Sequence, residues 1–260
     1  MTAWDPIQYR RFSGHRLRPA LDLLAAVPLD APGHVVDLGC GEGRVTRLLQ
    51  ERWPAARITG VDDSASMLGV AAREMPGVTW RRIGISDWRP AEPVDLIFSN
   101  AALHWLPDHD QLLPGLMRWI RPGGVLAVQM PGNFDAPSHT SIREAVHAGP
   151  WRDRLAGLLR PSPVAGPLKY HEWLSRCVTG VSRLDIWETT YVQVLEGDNP
   201  VAEWTKGTWL KPFLDALDGA DRDAFEADYR ARVAAAYPPG ADGRTLFPFR
   251  RIFMVVSRTD

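Results

Sequence analysis

The stretch HVVDLGCGEGRVTRLL, residues 34–49, decides the fold of this 260-residue chain. It begins as a short apolar run, continues with glycines at Gly39, Gly41 and Gly43, and ends with apolar and charged residues at helical spacing. A strand that turns tightly on glycines into a helix presents free backbone N–H groups to a ligand. The stretch therefore predicts a strand, a ligand-binding turn and a helix.

The same alternation of short apolar runs with amphipathic stretches extends along the chain. It predicts an α/β fold, in which a mostly parallel sheet has helices on both faces. The predicted strands are 34–39, 57–62, 78–84, 94–100, 123–130, 183–195 and 248–258, and the predicted helices are 9–26, 44–53, 64–75, 111–120, 170–177, 201–219 and 221–237.

The composition excludes several classes of protein. The 30 Lys and Arg residues nearly balance the 31 Asp and Glu residues, for a net charge of −1, so we expect no nucleic-acid partner. The apolar runs are shorter than the ~20 residues of a membrane span, and no apolar leader begins the chain, so we expect a cytoplasmic protein without a membrane partner. Only Cys40 and Cys177 occur, so no disulfide framework or metal site is expected.

A second acidic position supports a nucleotide-like cofactor. Asp62 ends the second predicted strand, 62 − 39 = 23 residues beyond Gly39, where an acid can accept hydrogen bonds from ribose hydroxyls. Dinucleotide sites favour G-x-G-x-x-G, whereas this chain has GCGEG. The spacing resembles the first motif of the class I S-adenosylmethionine-dependent methyltransferases.

The resemblance covers nearly the whole chain and points to one family. The chain is similar to the trans-aconitate 2-methyltransferases, which esterify a carboxylate of a small polycarboxylic acid. The matching stretches are WDPIQYRRFSGHRLRP (4–19), DLGCGEG (37–43), RWPAARITGVDDSASML (52–68), DLIFSNAALHWLPDH (95–109), GVLAVQMPGNFDAPSH (124–139), DIWETTY (185–191) and FPFRRIFMV (247–255).

The resemblance implies a class I methyltransferase domain over residues 1–260, acting as a monomer on a small-molecule carboxylate. Its expected parts are a lid helix at 1–30, a cofactor-binding half at 31–131, a loop-rich insertion with a helix at 132–180, and a helical cap at 198–247. The final strand should run antiparallel to its neighbours. A substrate carboxylate oxygen should attack the S-methyl carbon in line, and no general base is obligatory because a carboxylate is ionised near neutral pH.

The resemblance also assigns cofactor-binding residues for S-adenosylmethionine. The family usually has an acid at the end of the third strand for the adenine amino group, where this chain has Gly84. Asp87 is one alternative, and an ordinary helix-capping or loop acid is the other reading of Asp87. The expected cofactor residues are Asp37, Gly39, Gly41, Gly43, Asp62, Asp87, Asn100 and Ala101, with Tyr9, Phe12 and Arg16 covering the cofactor from the N-terminal segment.

A tricarboxylate substrate requires donors from the protein, since it is a trianion. Arg251 and Lys211 are the leading candidates for these donors. Strand alternation points Arg250 and Arg251 to opposite faces of the sheet. His104 is a candidate base or substrate donor. The expected substrate residues are Arg251, Arg250, Lys211, His139, Asn133, Tyr191, Trp204, Trp209 and Trp105.

Three other functions stay open from the sequence alone. A methyltransferase of another small acid or natural-product intermediate would share the cofactor motifs. A nicotinamide-dependent dehydrogenase is disfavoured by GCGEG, because its glycine spacing differs from the dinucleotide pattern. A non-catalytic S-adenosylmethionine-binding protein is possible on the same fold.

Overall fold

The computed structural model describes residues 13–177 and 180–259. Strands and helices alternate through the first half of the chain, as predicted. The strands are β1 His34–Leu38, β2 Arg57–Asp62, β3 Thr79–Arg82, β4 Val94–Asn100, β5 Ile120–Pro131, β6 Val181–Leu195 and β7 Thr245–Arg258. The helices are α1 Ser13–Ala26, α2 Arg44–Arg52, α3 Ala65–Glu74, α4 His109–Met117, α5 Pro137–Ala148, α6 Arg152–Leu155, α7 Pro167–Ser175, α8 Pro200–Lys206, α9 Lys211–Asp215 and α10 Gly219–Ala236.

The seven strands form one sheet in the order β3-β2-β1-β4-β5-β7-β6. The pairings β3 with β2, β2 with β1, β1 with β4 and β4 with β5 are parallel. β7 runs antiparallel to β5, with a register from Val125↔Ser257 to Pro131↔Arg251. The predicted α/β class and the antiparallel final strand are confirmed.

The chain divides into two compact units. The unit that we call the sheet unit contains, in its described part, residues 17–132, 163–177, 180–189 and 251–259, and its core packs β1, β4 and β5 with α4 and α7. All five residues of β1 are buried, because a parallel strand in the middle of a sheet is covered on both faces. Tyr170 on α7 belongs to this core, so residues 163–177 of the expected insertion lie in the sheet unit.

The other unit, which we call the helical unit, contains residues 13–16, Asn133–Ser162 and Thr190–Arg250 in its described part. Phe225, Tyr229 and Val233 recur every four residues along α10, so they form one buried helix face. The Tyr229 hydroxyl donates to the carbonyl of Ser138 at 2.9 Å, which ties α10 to the first turn of α5. This unit therefore has its own core.

Several sequence-based bounds were wrong. The helix predicted at 201–219 is two short helices, α8 and α9, because the chain turns at 207–210. α5 and α6 lie where loops were expected, and β3 covers only four of seven predicted residues. The predicted helix at 9–26 is described from Ser13 onward, and its end at Ala26 is confirmed. No helix among the described residues is long and apolar enough to cross a membrane.

Candidate active site

The glycine turn between β1 and α2 holds all three glycines at positive φ, where side chains are strained. A Cβ on Gly39 would lie 2.2 Å from the Cβ of Ala102, and a Cβ on Gly43 would lie 2.9 Å from the ring of Trp80. Among the described residues, a Cβ on Gly41 would meet only the sulfur of Met67, at 3.6 Å. Gly39 and Gly43 therefore allow close internal packing, whereas the Gly41 backbone lies beside open space.

Asp62, at the end of β2, is bonded to this turn. One carboxylate oxygen accepts from the backbone N–H of Gly41 at 2.9 Å, and the other accepts from the N–H of Ser64 at 2.9 Å. The carboxylate is half-buried and keeps unused acceptor sites, since two oxygens offer about four lone pairs. Asp62 can thus shape the turn and still accept hydrogen bonds from a ligand.

Asp37 faces the protein interior, although it was predicted to contact the cofactor. It is 1% exposed, and it accepts a hydrogen bond from the Thr46 hydroxyl at 2.6 Å. Burial raises the pKa of Asp37 to about 7, against the opposing effect of the Thr46 bond. Asp37 thus fixes the start of α2 behind the glycine turn, and its contact with the cofactor stays a prediction.

Asp87 fills the space beside Gly84. One of its carboxylate oxygens lies 3.6 Å from the position that a Cβ on Gly84 would take, and its backbone N–H donates to the Gly84 carbonyl at 3.0 Å. The Asp87 side chain is exposed. An acidic group is therefore present where the family pattern has one, and adenine recognition by Asp87 stays a prediction.

The end of β4 carries two predicted cofactor residues. Ala101 has a φ of 53°, and its N–H donates to the carbonyl of Gln129 on β5 at 2.8 Å. The Asn100 side-chain oxygen is buried and has no hydrogen-bond partner within residues 13–177 and 180–259. A buried acceptor without a partner is uncommon, so this edge offers an acceptor for a bound group.

The short 3₁₀ turn Leu103–Trp105 follows Ala101 closely, and the side chain of His109 is hydrogen-bonded to it. The Nε2 atom of His109 lies 2.9 Å from the Leu103 carbonyl, so it carries the proton, and Nδ1 accepts from the Tyr170 hydroxyl at 2.7 Å. Burial lowers the pKa of His109, which favours this neutral form. His104 is buried, whereas Trp105 is 51% exposed, and the place of Trp105 at the wall of the substrate site stays a prediction.

Sequence reasoning missed Gln129, which lies in this region. It is fully buried on β5, and its side-chain oxygen lies 3.5 Å from a guanidinium nitrogen of Arg251. Arg251 is 6% exposed, as expected of a cation in a desolvated site. A polar residue inside an apolar strand, in GVLAVQM, was the signal that could have drawn attention to Gln129.

Arg250 and Lys211 are engaged in surface ion pairs of the helical unit. Arg250 donates to Asp135 at 2.6 Å, which lowers the pKa of the Asp135 carboxyl. Lys211 pairs with Asp215 one helical turn away, at 2.8 Å. Each cation thus has a carboxylate partner already, and Lys211 does not stand out as a leading anion anchor.

The remaining predicted substrate residues of the helical unit fall into two groups. Asn133, His139 and Trp209 lie in sequence or in space beside Phe134, and Tyr191 and Trp204 form the second group. Phe134 has its ring centroid 5.1 Å from that of His139 and 4.9 Å from that of Trp209, and it follows Asn133, which is 2% exposed. Burial lowers the pKa of His139 to about 4, so His139 is uncharged at neutral pH and supplies no cation. Tyr191 and Trp204 are buried, and Trp204 packs against Phe247 and Phe249 in the core rather than on a wall.

Comparisons with known proteins support the sequence resemblance. The family described as "Methyltransferase domain" matches residues 35–124. The trans-aconitate 2-methyltransferase of Azoarcus sp. is 50% identical over 99% of this chain and 100% of its own length, and that of Methylobacterium nodulans is 48% identical over the full length of both chains. The chain belongs to the trans-aconitate 2-methyltransferase family.

Solved structures agree with this fold. The YcgJ protein from Bacillus subtilis matches with a TM-score of 0.60 at 15% identity, over 94% of this chain and 99% of its own. A Haemonchus contortus phosphoethanolamine N-methyltransferase in complex with S-adenosyl-L-methionine matches with a TM-score of 0.57 at 16% identity, over 94% of this chain and 53% of its own. These similarities support the fold alone.

As a member of the trans-aconitate 2-methyltransferase family, the protein is an S-adenosylmethionine-dependent methyltransferase. The residues present fit that cofactor, since the Gly41 backbone is open, Asp62 keeps acceptor sites and Asn100 has a spare acceptor oxygen. The predicted lid residues Tyr9 and Phe12, and the side chain of Arg16, lie outside the described part of the chain. No metal-binding cluster of His, Cys, Asp and Glu occurs among the described residues.

Proposed function

We propose that the protein transfers a methyl group to a carboxylate of trans-aconitate and forms a monomethyl ester. The observation that carries this proposal is the buried guanidinium of Arg251, which lies beside Gln129 at the carboxyl end of β5. A buried cation favours an anionic ligand, because charge-assisted hydrogen bonds strengthen where water is excluded. The relatives that match over the full chain are named for the same substrate.

Bound S-adenosylmethionine supplies an activated methyl group on a positively charged sulfur. We propose that Asp62 accepts from the ribose hydroxyls, that the Gly39–Gly43 turn approaches the cofactor closely, and that Asn100 accepts from the methionine part. Asp87 is our candidate for the adenine amino group. Together these residues orient the methyl group at the carboxyl edge of the sheet, where open α/β folds bind their ligands.

The substrate carboxylate needs no protein base, because it is already ionised near neutral pH. The residues of the site therefore act by alignment and by exclusion of water, effects that are worth several kcal/mol. The buried His104 is not required for proton transfer in this scheme.

A methylation assay with a panel of acids tests the proposal. Purified protein and S-adenosylmethionine should convert trans-aconitate to a product heavier by one methyl group, and should act more slowly on cis-aconitate, citrate and simple dicarboxylates. Mass spectrometry detects the ester, and NMR identifies the modified carboxylate. Conversion of a different acid with no turnover of trans-aconitate would replace the substrate and keep the methyltransferase, and no conversion of any acid would overturn the proposed reaction.

A further inference from the structure

Gln129 lies where three strands meet at the carboxyl edge of the sheet unit. It pairs with Asn100 in the parallel register of β4 and β5, and with Phe253 in the antiparallel register of β5 and β7. Its neighbours Val128 and Met130 belong to the apolar core of the sheet unit, so alternation directs Gln129 to the opposite face. Arg251, two residues from Phe253, is its diagonal neighbour on that face.

The polarity of the Gln129 amide is fixed by its neighbour. A guanidinium only donates hydrogen bonds, so the amide oxygen must face Arg251 and the amide nitrogen must face away. That nitrogen is buried and has no acceptor among the residues that the structure describes. Turning the amide over would place its NH2 group against the guanidinium of Arg251, donor against donor, and would leave the amide oxygen unbonded. The opposite orientation of the amide therefore gives no better hydrogen bonding.

The backbone of Gln129 is already used, because its carbonyl accepts from the N–H of Ala101 at 2.8 Å. A glutamine with no exposed surface and an unpaired donor is costly, and a hydrophobic residue would fill the same place without that cost. Buried polar atoms without partners mark places where a bound group completes the hydrogen bonding. The unpaired atom here is a donor, and it calls for an acceptor.

We propose that the Gln129 amide nitrogen and the Arg251 guanidinium together hold one non-reacting carboxylate of the substrate. This inference rests on the proposed function, and it adds Gln129 as a specificity-determining residue. The two donors bind the two oxygens of the carboxylate, and Gln129 also orients the guanidinium through its amide oxygen. Asn100, in register with Gln129, has an unpaired acceptor instead, and we assign it to the cofactor side.

The experiment compares Gln129→Met with Gln129→Glu. Gln129→Met keeps the length of the side chain and removes both polar atoms, and should raise the KM for trans-aconitate about tenfold. Gln129→Glu turns the donor into an anionic acceptor and should raise that KM at least thirtyfold, because the carboxylates repel and the glutamate competes for Arg251. Calorimetry should show binding of S-adenosylhomocysteine within about twofold of wild type for both variants.

A second readout separates this role from simple packing. In the double variant Gln129→Met/Arg251→Ala, kcat/KM should fall by a much smaller factor than the product of the factors measured for the two single variants. The reason is that the two residues hold the same carboxylate. Trans-aconitate, added in the presence of S-adenosylhomocysteine, should raise the melting temperature of wild type and not that of Gln129→Glu. Gln193→Glu is the matched control, since it places a glutamate at a buried glutamine of β6 in the helical unit, and it should keep the wild-type KM.

Two results would overturn the inference. An unchanged KM in Gln129→Met with normal turnover would show that the amide makes no contact with the substrate. If both variants lose affinity for S-adenosylhomocysteine and for trans-aconitate by equal factors, Gln129 only supports the fold. If wild type methylates another acid instead, the proposed substrate fails while the same KM comparison with that acid still decides the role of Gln129.

Discussion

The carboxyl edge of the sheet has two parts, which we call the first edge, at the ends of β1 and β2, and the second edge, at the ends of β4 and β5. The buried polar groups of the two parts differ in their hydrogen bonding. At the first edge, both oxygens of Asp62 accept from backbone N–H groups, and Asp37 accepts from Thr46. At the second edge, the Asn100 oxygen and the Gln129 nitrogen have no partners among the described residues. Both carboxylates of the first edge are thus hydrogen-bonded within the protein, whereas each of the two amides of the second edge keeps one unpaired atom.

The difference separates cofactor recognition from substrate recognition. An edge held by its own hydrogen bonds is preorganised, so binding there loses little to reordering. An edge with unpaired donors and acceptors gains most when a ligand of matching polarity arrives, and it discriminates strongly against ligands that leave those atoms unpaired. We therefore expect substitutions at Gly41 and Asp62 to affect cofactor binding, and those at Gln129 and Arg251 to affect substrate choice.

Gly41→Val should have the largest effect and should break the first edge. The side chain would project into the open space beside the turn, and the positive φ of Gly41 adds strain for a β-branched residue. We expect S-adenosylhomocysteine affinity to fall at least about a hundredfold, or about 2.7 kcal/mol, by calorimetry. Gly219→Val is the matched control, because Gly219 has a φ of 50° and open surroundings in the helical unit. Equal affinity in the two variants would remove Gly41 from the cofactor site.

Asp62→Ala should have the second-largest effect on cofactor binding. It removes the carboxylate that accepts from the N–H groups of Gly41 and Ser64, and with it the proposed acceptor for the ribose hydroxyls. Loss of a charged hydrogen-bonding partner costs about 1.5 to 3 kcal/mol, so affinity for S-adenosylhomocysteine should fall about tenfold to 150-fold. The neighbouring Asp63 has an exposed side chain, and Asp63→Ala should bind like wild type. A folded Asp62→Ala variant with wild-type affinity would contradict the assignment of the nucleotide site.

Arg251→Ala tests the second edge against a neighbour in the sequence. Removing the buried guanidinium should lower kcat/KM for trans-aconitate about thirtyfold, or about 2 kcal/mol, and should leave cofactor affinity nearly unchanged. Arg250→Ala removes a half-exposed ion pair with Asp135, and such pairs contribute about 0 to 1 kcal/mol. If Arg250→Ala reduces kcat/KM more than Arg251→Ala, the substrate anchor lies in the helical unit.

The last test concerns stability and not ligand binding, and it is the pH dependence contributed by Asp37. Its folded pKa of about 7 lies above its ordinary value of 3.8, so the folded protein binds this proton more tightly than the unfolded chain. The stabilisation is fully present below about pH 4 and is lost as the pH rises through 7, by at most about 1.4 kcal/mol per pH unit. Thermal unfolding from pH 5 to 8 should show this slope in wild type, and a weaker slope in Asp37→Asn. Identical slopes would show that Asp37 titrates normally.

The first edge could be predicted from the sequence, because its parts are local. The apolar run, the glycine turn and Asp62 lie within 30 residues, and each has a conformational meaning of its own. Gly84 was also recognisable as a departure, and the structure adds that the carboxylate of Asp87 lies beside it. The inward orientation of Asp37 was not predictable, since it depends on the hydroxyl of Thr46.

The second edge could be predicted only in part, because its residues meet through strand pairing. Gln129 and Arg251 are 122 positions apart, and β7 must insert beside β5 before they become neighbours. Pairing of Arg250 with Asp135 was likewise invisible in the sequence. α5 was missed because the Pro- and Gly-rich sequence around it indicated loops, although Pro137 suits the first turn of a helix.

The sheet order β5-β7-β6 also determines when the fold can close during synthesis. β6 ends at Leu195 and its neighbour in the described sheet, β7, begins at Thr245, so 245 − 195 = 50 positions separate the two strands. At roughly 5 to 20 residues per second, the ribosome leaves β6 unpaired for a few seconds. A nascent chain stopped before Thr245 keeps a bare strand edge that chaperones and proteases can recognise, so β7 is the point at which an unfinished polypeptide becomes distinguishable from a finished one.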